Sequence, residues 1–95
     1  MPELLRGIDV VWNALHGTYG EDGTLQGLFE LADLPFAGAG VVGSAVGMDK
    51  PAMKAAFKAA GLPVLGHVLV EADEIERDRS SVCDLVEKEI GYPAF

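Results

Sequence analysis

Between an apolar run and an amphipathic one, the chain carries His16-Gly17-Thr18-Tyr19-Gly20-Glu21-Asp22-Gly23-Thr24-Leu25-Gln26-Gly27. Four of these twelve residues are glycine, which enters left-handed and crowded backbone conformations without a Cβ penalty. On the amino side, Ile8 to Leu15 is short, apolar and β-branched, the pattern of a largely buried strand. On the carboxyl side, Leu25, Leu28, Phe29 and Ala32 recur at i, i+3, i+4 and i+7, one face of a helix with Asp22 or Thr24 as N-cap. Strand, glycine loop and helix in that order predict an α/β fold with parallel pairing, the loop lying beyond the carboxyl end of the strand.

The rest of the chain continues the alternation. Met1 to Gly7 reads as the tail of a helix, Leu34 to Gly38 as a second extended segment, and Val41 to Gly47 as one or two helical turns of small residues. A clearer helix follows. Asp49 caps it, Pro51 suits its first turn, Met53, Ala56, Phe57 and Ala60 form its apolar stripe, and Gly61 with Pro63 ends it. Val64 to Val70 reads as another strand and Glu71 to Asp78 as an acidic connection. Ser81-Val82-Cys83-Asp84 fits a capping box for a last helix whose Val82, Leu85, Val86 and Ile90 face inward, with Gly91 as its stop. Tyr92 to Phe95 reads as the beginning of a further strand. The change of character between Met48 and Leu65 marks a boundary, which divides the chain into 1–47 and 48–95.

At 95 residues the chain holds one domain at most. Seven basic residues against fifteen acidic ones give a net charge of −8. That balance excludes a nucleic-acid binder, whose affinity comes from neutralising phosphates, and an anionic membrane surface. The longest nearly apolar run, Phe36 to Met48, is too short and too glycine-rich to span a bilayer. Cys83 is the single cysteine and has no partner for an internal disulfide, and Met1 to Arg6 lacks the pattern of a secretory leader. The expected compartment is the cytoplasm.

Free amides at a helix start favour an anion, so Gly17, Gly20 and Gly23 are candidates for a substrate-binding loop. Their G-x-x-G-x-x-G spacing is neither the dinucleotide fingerprint nor a Walker loop, and an ordinary tight turn accounts for the glycines as well. His16 is a candidate donor to a carboxylate or phosphoryl oxygen, the alternative being a bond to local backbone. Glu21 is placed to brace the loop or His16. Asp22, its neighbour, points elsewhere and does not form a carboxylate dyad with it. His16, Glu21 and His67 lack metal-ligand spacing, so no metal site is expected. Lys50, Lys54 and Lys58 share one helix face. Lys54 and Lys58 read as solvated, whereas Lys50 sits in the first turn, where the macrodipole disfavours a cation and an anionic partner explains it better. Cys83 reads as a packing residue.

Taken together, Asn13-Ala14-Leu15-His16-Gly17, Gly20 to Gly27, Leu34 to Gly38, Met48-Asp49-Lys50 and Gly61-Leu62-Pro63-Val64 resemble the D-alanine–D-alanine ligase family in order and interval. The resemblance implies part of a Rossmann-like amino-terminal domain over 1–47 and the start of an ATP-grasp domain over 48–95. It implies an ATP-dependent ligase, using Mg²⁺, that joins two D-alanines through an acyl phosphate for peptidoglycan synthesis and works as a homodimer. His16 and the loop would border the first D-alanine and the transferred phosphoryl group, Glu21 would organise the loop, and Lys50 would reach the nucleotide phosphates. The family's first strand and substrate-binding glutamate would lie before Met1. Its second lysine, its lid and its acidic metal ligands would lie beyond Phe95. This stretch alone is therefore expected to make no dipeptide. A D-alanine–D-lactate ligase shares the same motifs, and a non-catalytic, self-associating segment is the reading from a different class.

Overall fold

Parallel pairing of two short strands fixes the centre of the structure. The computed structural model describes residues 3–95. After a 3-10 turn at Glu3–Leu5, strand β1 (Val11–Trp12) pairs in parallel with β2 (Phe36–Ala37), Val11 opposite Phe36 and Trp12 opposite Ala37. Helix α1 (Thr24–Leu31) makes the crossover between them, the βαβ logic expected of this sequence. The Val11 N–H also donates to the Pro35 carbonyl at 2.9 Å, which extends the pairing by one bond where proline contributes only an acceptor. The strand expected over Ile8 to Leu15 is thus much shorter. A ladder is only as long as its partner, and among the described residues β1 is paired along one edge alone.

The apolar stripe of α1 closes the core. Phe29, Ala32 and Leu34 are buried, with Leu5, Val11, Leu25 and Phe36 packed against them, and the Phe29 and Phe36 rings meet at 5.4 Å in a tilted pair. The helix ends in a Schellman arrangement. Asp33 adopts φ 51° and donates its N–H to the Glu30 carbonyl, while the Leu34 N–H reaches the Phe29 carbonyl. That reversal turns the chain straight into β2.

Helix α2 (Val41–Met48) and helix α3 (Lys50–Ala59) meet at Asp49, which ends the first and caps the second by accepting the Ala52 N–H at 2.9 Å. The cap and Pro51 sit where the sequence predicts. Gly61 (φ 76°) closes α3 with the same bond pattern that closes α1, Leu62 N–H to the Phe57 carbonyl.

Several expectations for the second half need correction. Val64 to Val70 forms no strand, having no ladder partner among the described residues, and Tyr92 to Phe95 forms none either. The acidic connection folds as helix α4 (Ala72–Arg77), whose Glu71 and Glu74 form a reciprocal capping box. Helix α5 (Arg79–Glu89) starts three residues earlier than predicted. Asp78, not Ser81, is its cap, accepting from Ser81 N–H at 3.1 Å and Ser81 Oγ at 2.6 Å. Val82 and Val86 are half-buried as expected, whereas Leu85 and Ile90 stay exposed.

The chain is elongated, 56 × 33 × 19 Å, with a radius of gyration of 18.6 Å. A compact chain of this length has a radius of about 12 Å. Its accessible surface of 7503 Å² exceeds the roughly 5,200 Å² of a compact monomer of equal mass. Trp12, Leu31, Leu65 and Phe95 are among the large apolar side chains left open to solvent. No helix among the described residues is long and apolar enough to cross a membrane.

Candidate functional site

The loop between β1 and α1 takes its shape from two glycines. A Cβ on Gly20, which is buried, would stand 2.6 Å from Leu15 Cβ and 3.1 Å from the Leu15 carbonyl carbon, so the loop folds back against the strand exit only because this residue has no side chain. Gly23 is the N-cap of α1 with φ 95°, and a Cβ there would meet the Val41 carbonyl oxygen at 2.8 Å. Neither Asp22 nor Thr24 holds the N-cap position expected of them. The required left-handed backbone and the close approach of α2 select glycine instead.

The loop's two carboxylates bind its own amides. Glu21 Oε2 accepts the Gly17 N–H at 2.5 Å, and Asp22 accepts the Tyr19 N–H at 2.8 Å and the Thr24 N–H at 3.0 Å. The bonds from Tyr19 and then Thr24 hold the Asp22 carboxyl below the usual carboxylate range. The Glu21 N–H donates to the Gly17 carbonyl at 3.0 Å and the Leu25 N–H to the Tyr19 carbonyl at 3.1 Å. Within residues 17–23, the amides of Gly17, Tyr19 and Glu21 are therefore engaged inside the loop. His16 lies on the rim, its side chain 92% exposed, with Nδ1 3.8 Å from Glu21 Oε1.

His16, Gly20 and Glu21 line one wall of an open cavity of about 410 Å³, with Asn13, Leu15 and Gln26 beside them. The far wall is Ala37 to Ala39, just past β2, and Gly43, Ser44, Gly47 and Met48 of α2. Small residues leave the space open, and Ser44 Oγ donates back to the Ala39 carbonyl at 3.2 Å. The cavity thus opens at the carboxyl ends of both strands, where parallel α/β structures hold ligands.

Of the candidates from the sequence, the structure gathers His16, Gly20 and Glu21 at this cavity. Gly17 and Gly23 shape the loop without lining the wall. Lys50, exposed at the start of α3, does not line it either. Lys54 departs from the solvated reading, being half-buried and donating from Nζ to the Leu65 carbonyl at 3.3 Å. His67 lies with Lys54 and Leu65 around a separate cavity of about 590 Å³, and Cys83 is exposed. Among the described residues no three His, Cys, Asp or Glu side chains gather into a metal site.

Two cavity residues escaped the sequence reading. Asn13 Nδ2 and Gln26 Nε2 both donate to the Gly20 carbonyl, at 2.6 and 2.9 Å. Gln26 is 6% exposed, yet its Oε1 has no partner, an arrangement that costs about 1–3 kcal/mol. The signal for Gln26 was its place three residues before Phe29, on the buried face of α1.

Comparison with known proteins gives one consistent result. Residues 1–39 match the family model described as D-ala D-ala ligase N-terminus. The chain is 52% identical over 96 aligned residues to a D-alanine--D-alanine ligase of Synechococcus sp. (strain CC9605), covering 99% of this chain and 27% of that protein. It is 50% identical over 88 residues to one of Heliobacterium modesticaldum, covering 93% and 24%. The solved D-alanine-D-alanine ligase from Coxiella burnetii superposes with a TM-score of 0.67 at 43% identity, covering 84% of this chain and 23% of that one. The chain spans about a quarter of the length of the relatives it matches.

Proposed function

We propose that this chain, homologous along its length to a quarter of the D-alanine–D-alanine ligases, supplies the loop side of the substrate site in an enzyme that joins two D-alanines at the expense of ATP. The observation that carries the reading is a family-like loop, folded at the carboxyl ends of β1 and β2 against a cavity wide enough for a small amino acid. Residues 1–47 belong to the amino-terminal domain of such an enzyme, and residues 48–95 begin its ATP-grasp domain. The setting is the cytoplasm and the product a peptidoglycan precursor.

In this reading the loop positions and does not react. Glu21 fixes Gly17 and orients His16, whose imidazole donates to the first D-alanine's carboxylate and to the phosphoryl group that joins it. Lys50 stands at the first turn of α3, where a helix gains nothing from a cation, and offers its ammonium to nucleotide phosphates. ATP supplies the activated phosphoryl group when bound. Among the described residues no three His, Cys, Asp or Glu side chains gather to hold Mg²⁺. The exposed apolar surface supports burial against further polypeptide of the ligase.

The test is a chimera in which this chain replaces the corresponding quarter of the Coxiella burnetii ligase. Formation of D-alanyl-D-alanine, lost with His16→Ala and with Lys50→Ala, is expected. A folded chimera that binds ATP but forms no dipeptide overturns the reading. The 95-residue chain alone is expected to release no phosphate from ATP in the presence of D-alanine.

A further inference from the structure

Asn13 is the only asparagine of this chain and Gln26 its only glutamine. Both donate their side-chain amide to the same acceptor, the Gly20 carbonyl oxygen. One comes from the exit of β1 and the other from the first turn of α1, so strand, loop and helix are tied at a single atom. We propose that Asn13 and Gln26 form a two-donor clamp and act as the positioning residues of the 16–23 loop. The proposal deepens the ligase reading, because the loop that they set carries His16 and Glu21.

The peptide plane between Gly20 and Glu21 is where the clamp acts. Its oxygen is held by the two carboxamides, and its N–H, that of Glu21, donates to the Gly17 carbonyl at 3.0 Å. A plane fixed at both ends fixes the Glu21 N–Cα bond, so that rotation about this one bond is all that remains to set the direction of Cβ. From this anchored bond the Glu21 carboxylate accepts the Gly17 N–H and lies beside the imidazole of His16. Asn13 adds a second hold, since its Oδ1 accepts the Leu15 N–H at 3.0 Å, one residue before His16.

Chemistry explains why carboxamides stand here. A carbonyl with two lone pairs accepts two donors at once, and a neutral N–H donor enters a buried site without the desolvation of an ammonium. Gln26 keeps this donor although its Oε1 is left without a partner, which an apolar side chain of equal size would avoid. The donor is thus the part of Gln26 that matters.

Because the chain has one carboxamide of each kind, its amide spectrum contains two side-chain NH₂ pairs, and both report on the clamp. In the 95-residue chain, both pairs are expected to exchange with solvent at least tenfold more slowly than free carboxamides. Gln26→Met removes the donor and preserves volume. It is expected to return the Asn13 pair to the free rate and to speed exchange at the Glu21 amide several-fold, while protection in α3 and α5 stays unchanged. Asn13→Ala is expected to do the same to the Gln26 pair. Free-rate exchange of either pair in the wild-type chain overturns the clamp, and so does a Gln26→Met spectrum in which the Asn13 pair and the loop amide stay protected. Equal loss of protection in α3 and α5 also overturns it, by reducing the pair to general packing. No nucleotide or amino acid enters the measurement, so the clamp and the ligase reading fail separately.

Discussion

Glu21 engages two neighbours at once, Oε2 accepting the Gly17 N–H at 2.5 Å and Oε1 lying 3.8 Å from His16 Nδ1. The two contacts differ in weight. The first ties residue 17 to residue 21, whereas the second joins exposed groups and adds little to stability.

Glu21→Ala and Glu21→Gln therefore separate. The alanine variant frees the Gly17 amide from a bond of about 1 kcal/mol net, so its hydrogen exchange accelerates roughly fivefold. The glutamine variant retains an acceptor at the same reach and is expected to keep most of the protection. Amide exchange at Gly17 measures both. Equal exchange in the two variants would mean that the charge, and not the acceptor, orders the loop.

Gly20 and Gly27 make a matched pair for testing why the loop is glycine-rich. At Gly20 an added methyl meets Leu15 Cβ at 2.6 Å and its backbone at 3.1 Å, whereas at Gly27, inside α1, nothing lies within 4 Å. Gly20→Ala is expected to lower stability by about 1–3 kcal/mol through overpacking. Gly27→Ala is expected to raise it by about 0.5–1 kcal/mol, because alanine is the better helix former. The shift of the urea midpoint reads both signs.

The same contrast shows what the sequence makes legible. Glycine density at 17–27 locates the loop, but not that Gly20 answers to Leu15 and Gly23 to Val41, since the first contact depends on how the loop folds back and the second is tertiary. Caps written in adjacent residues are readable, as with Asp49 and Gly61, and so are the buried positions Phe29 and Ala32, which one helical period specifies. Strand length is not local. Ile8 to Leu15 and Val64 to Val70 both have strand composition, yet only Val11 and Trp12 find a ladder. At α5, Ser81 and Asp78 offer overlapping caps, and the earlier one prevails because its carboxylate takes both Ser81 donors. The pairing of Asn13 with Gln26 was not legible, because their common acceptor is a backbone carbonyl.

Asp22 makes the loop acid-sensitive. Its folded carboxyl titrates below its ordinary value because Tyr19 and Thr24 donate to the charged form. A group depressed in this way contributes stability that is fully present above its unfolded value, about 3.9, and lost as pH falls through the lower folded value. The Tyr19 and Thr24 amides are therefore expected to lose exchange protection below about pH 4. Asp22→Asn removes this dependence at both amides. Asp78 follows the same sign at the start of α5, through its bonds from Ser81. An acid titration followed amide by amide checks both, and protection at Tyr19 unchanged down to the lowest pH would contradict the assignment.

Asp49 and Lys50 stand next to each other at the start of α3 and are expected to act in opposite directions. Asp49 accepts the Ala52 N–H at 2.9 Å, satisfying one of the amides that a helix start leaves open. Asp49→Ala should lower stability by about 1 kcal/mol, and Asp49→Asn, which caps as well, should restore most of it. Lys50 occupies the first helical position, where the macrodipole opposes a positive charge. Lys50→Ala should raise helix stability by about 0.3–1 kcal/mol. Lys58, in the last turn, lies where a cation is favoured, so Lys58→Ala should lower it slightly. Thermal unfolding followed by far-ultraviolet circular dichroism orders the variants. A lysine whose removal stabilises the fold while abolishing dipeptide formation in the chimera is kept for its ligand, and a Lys50→Ala variant less stable than wild type would assign it to the fold instead.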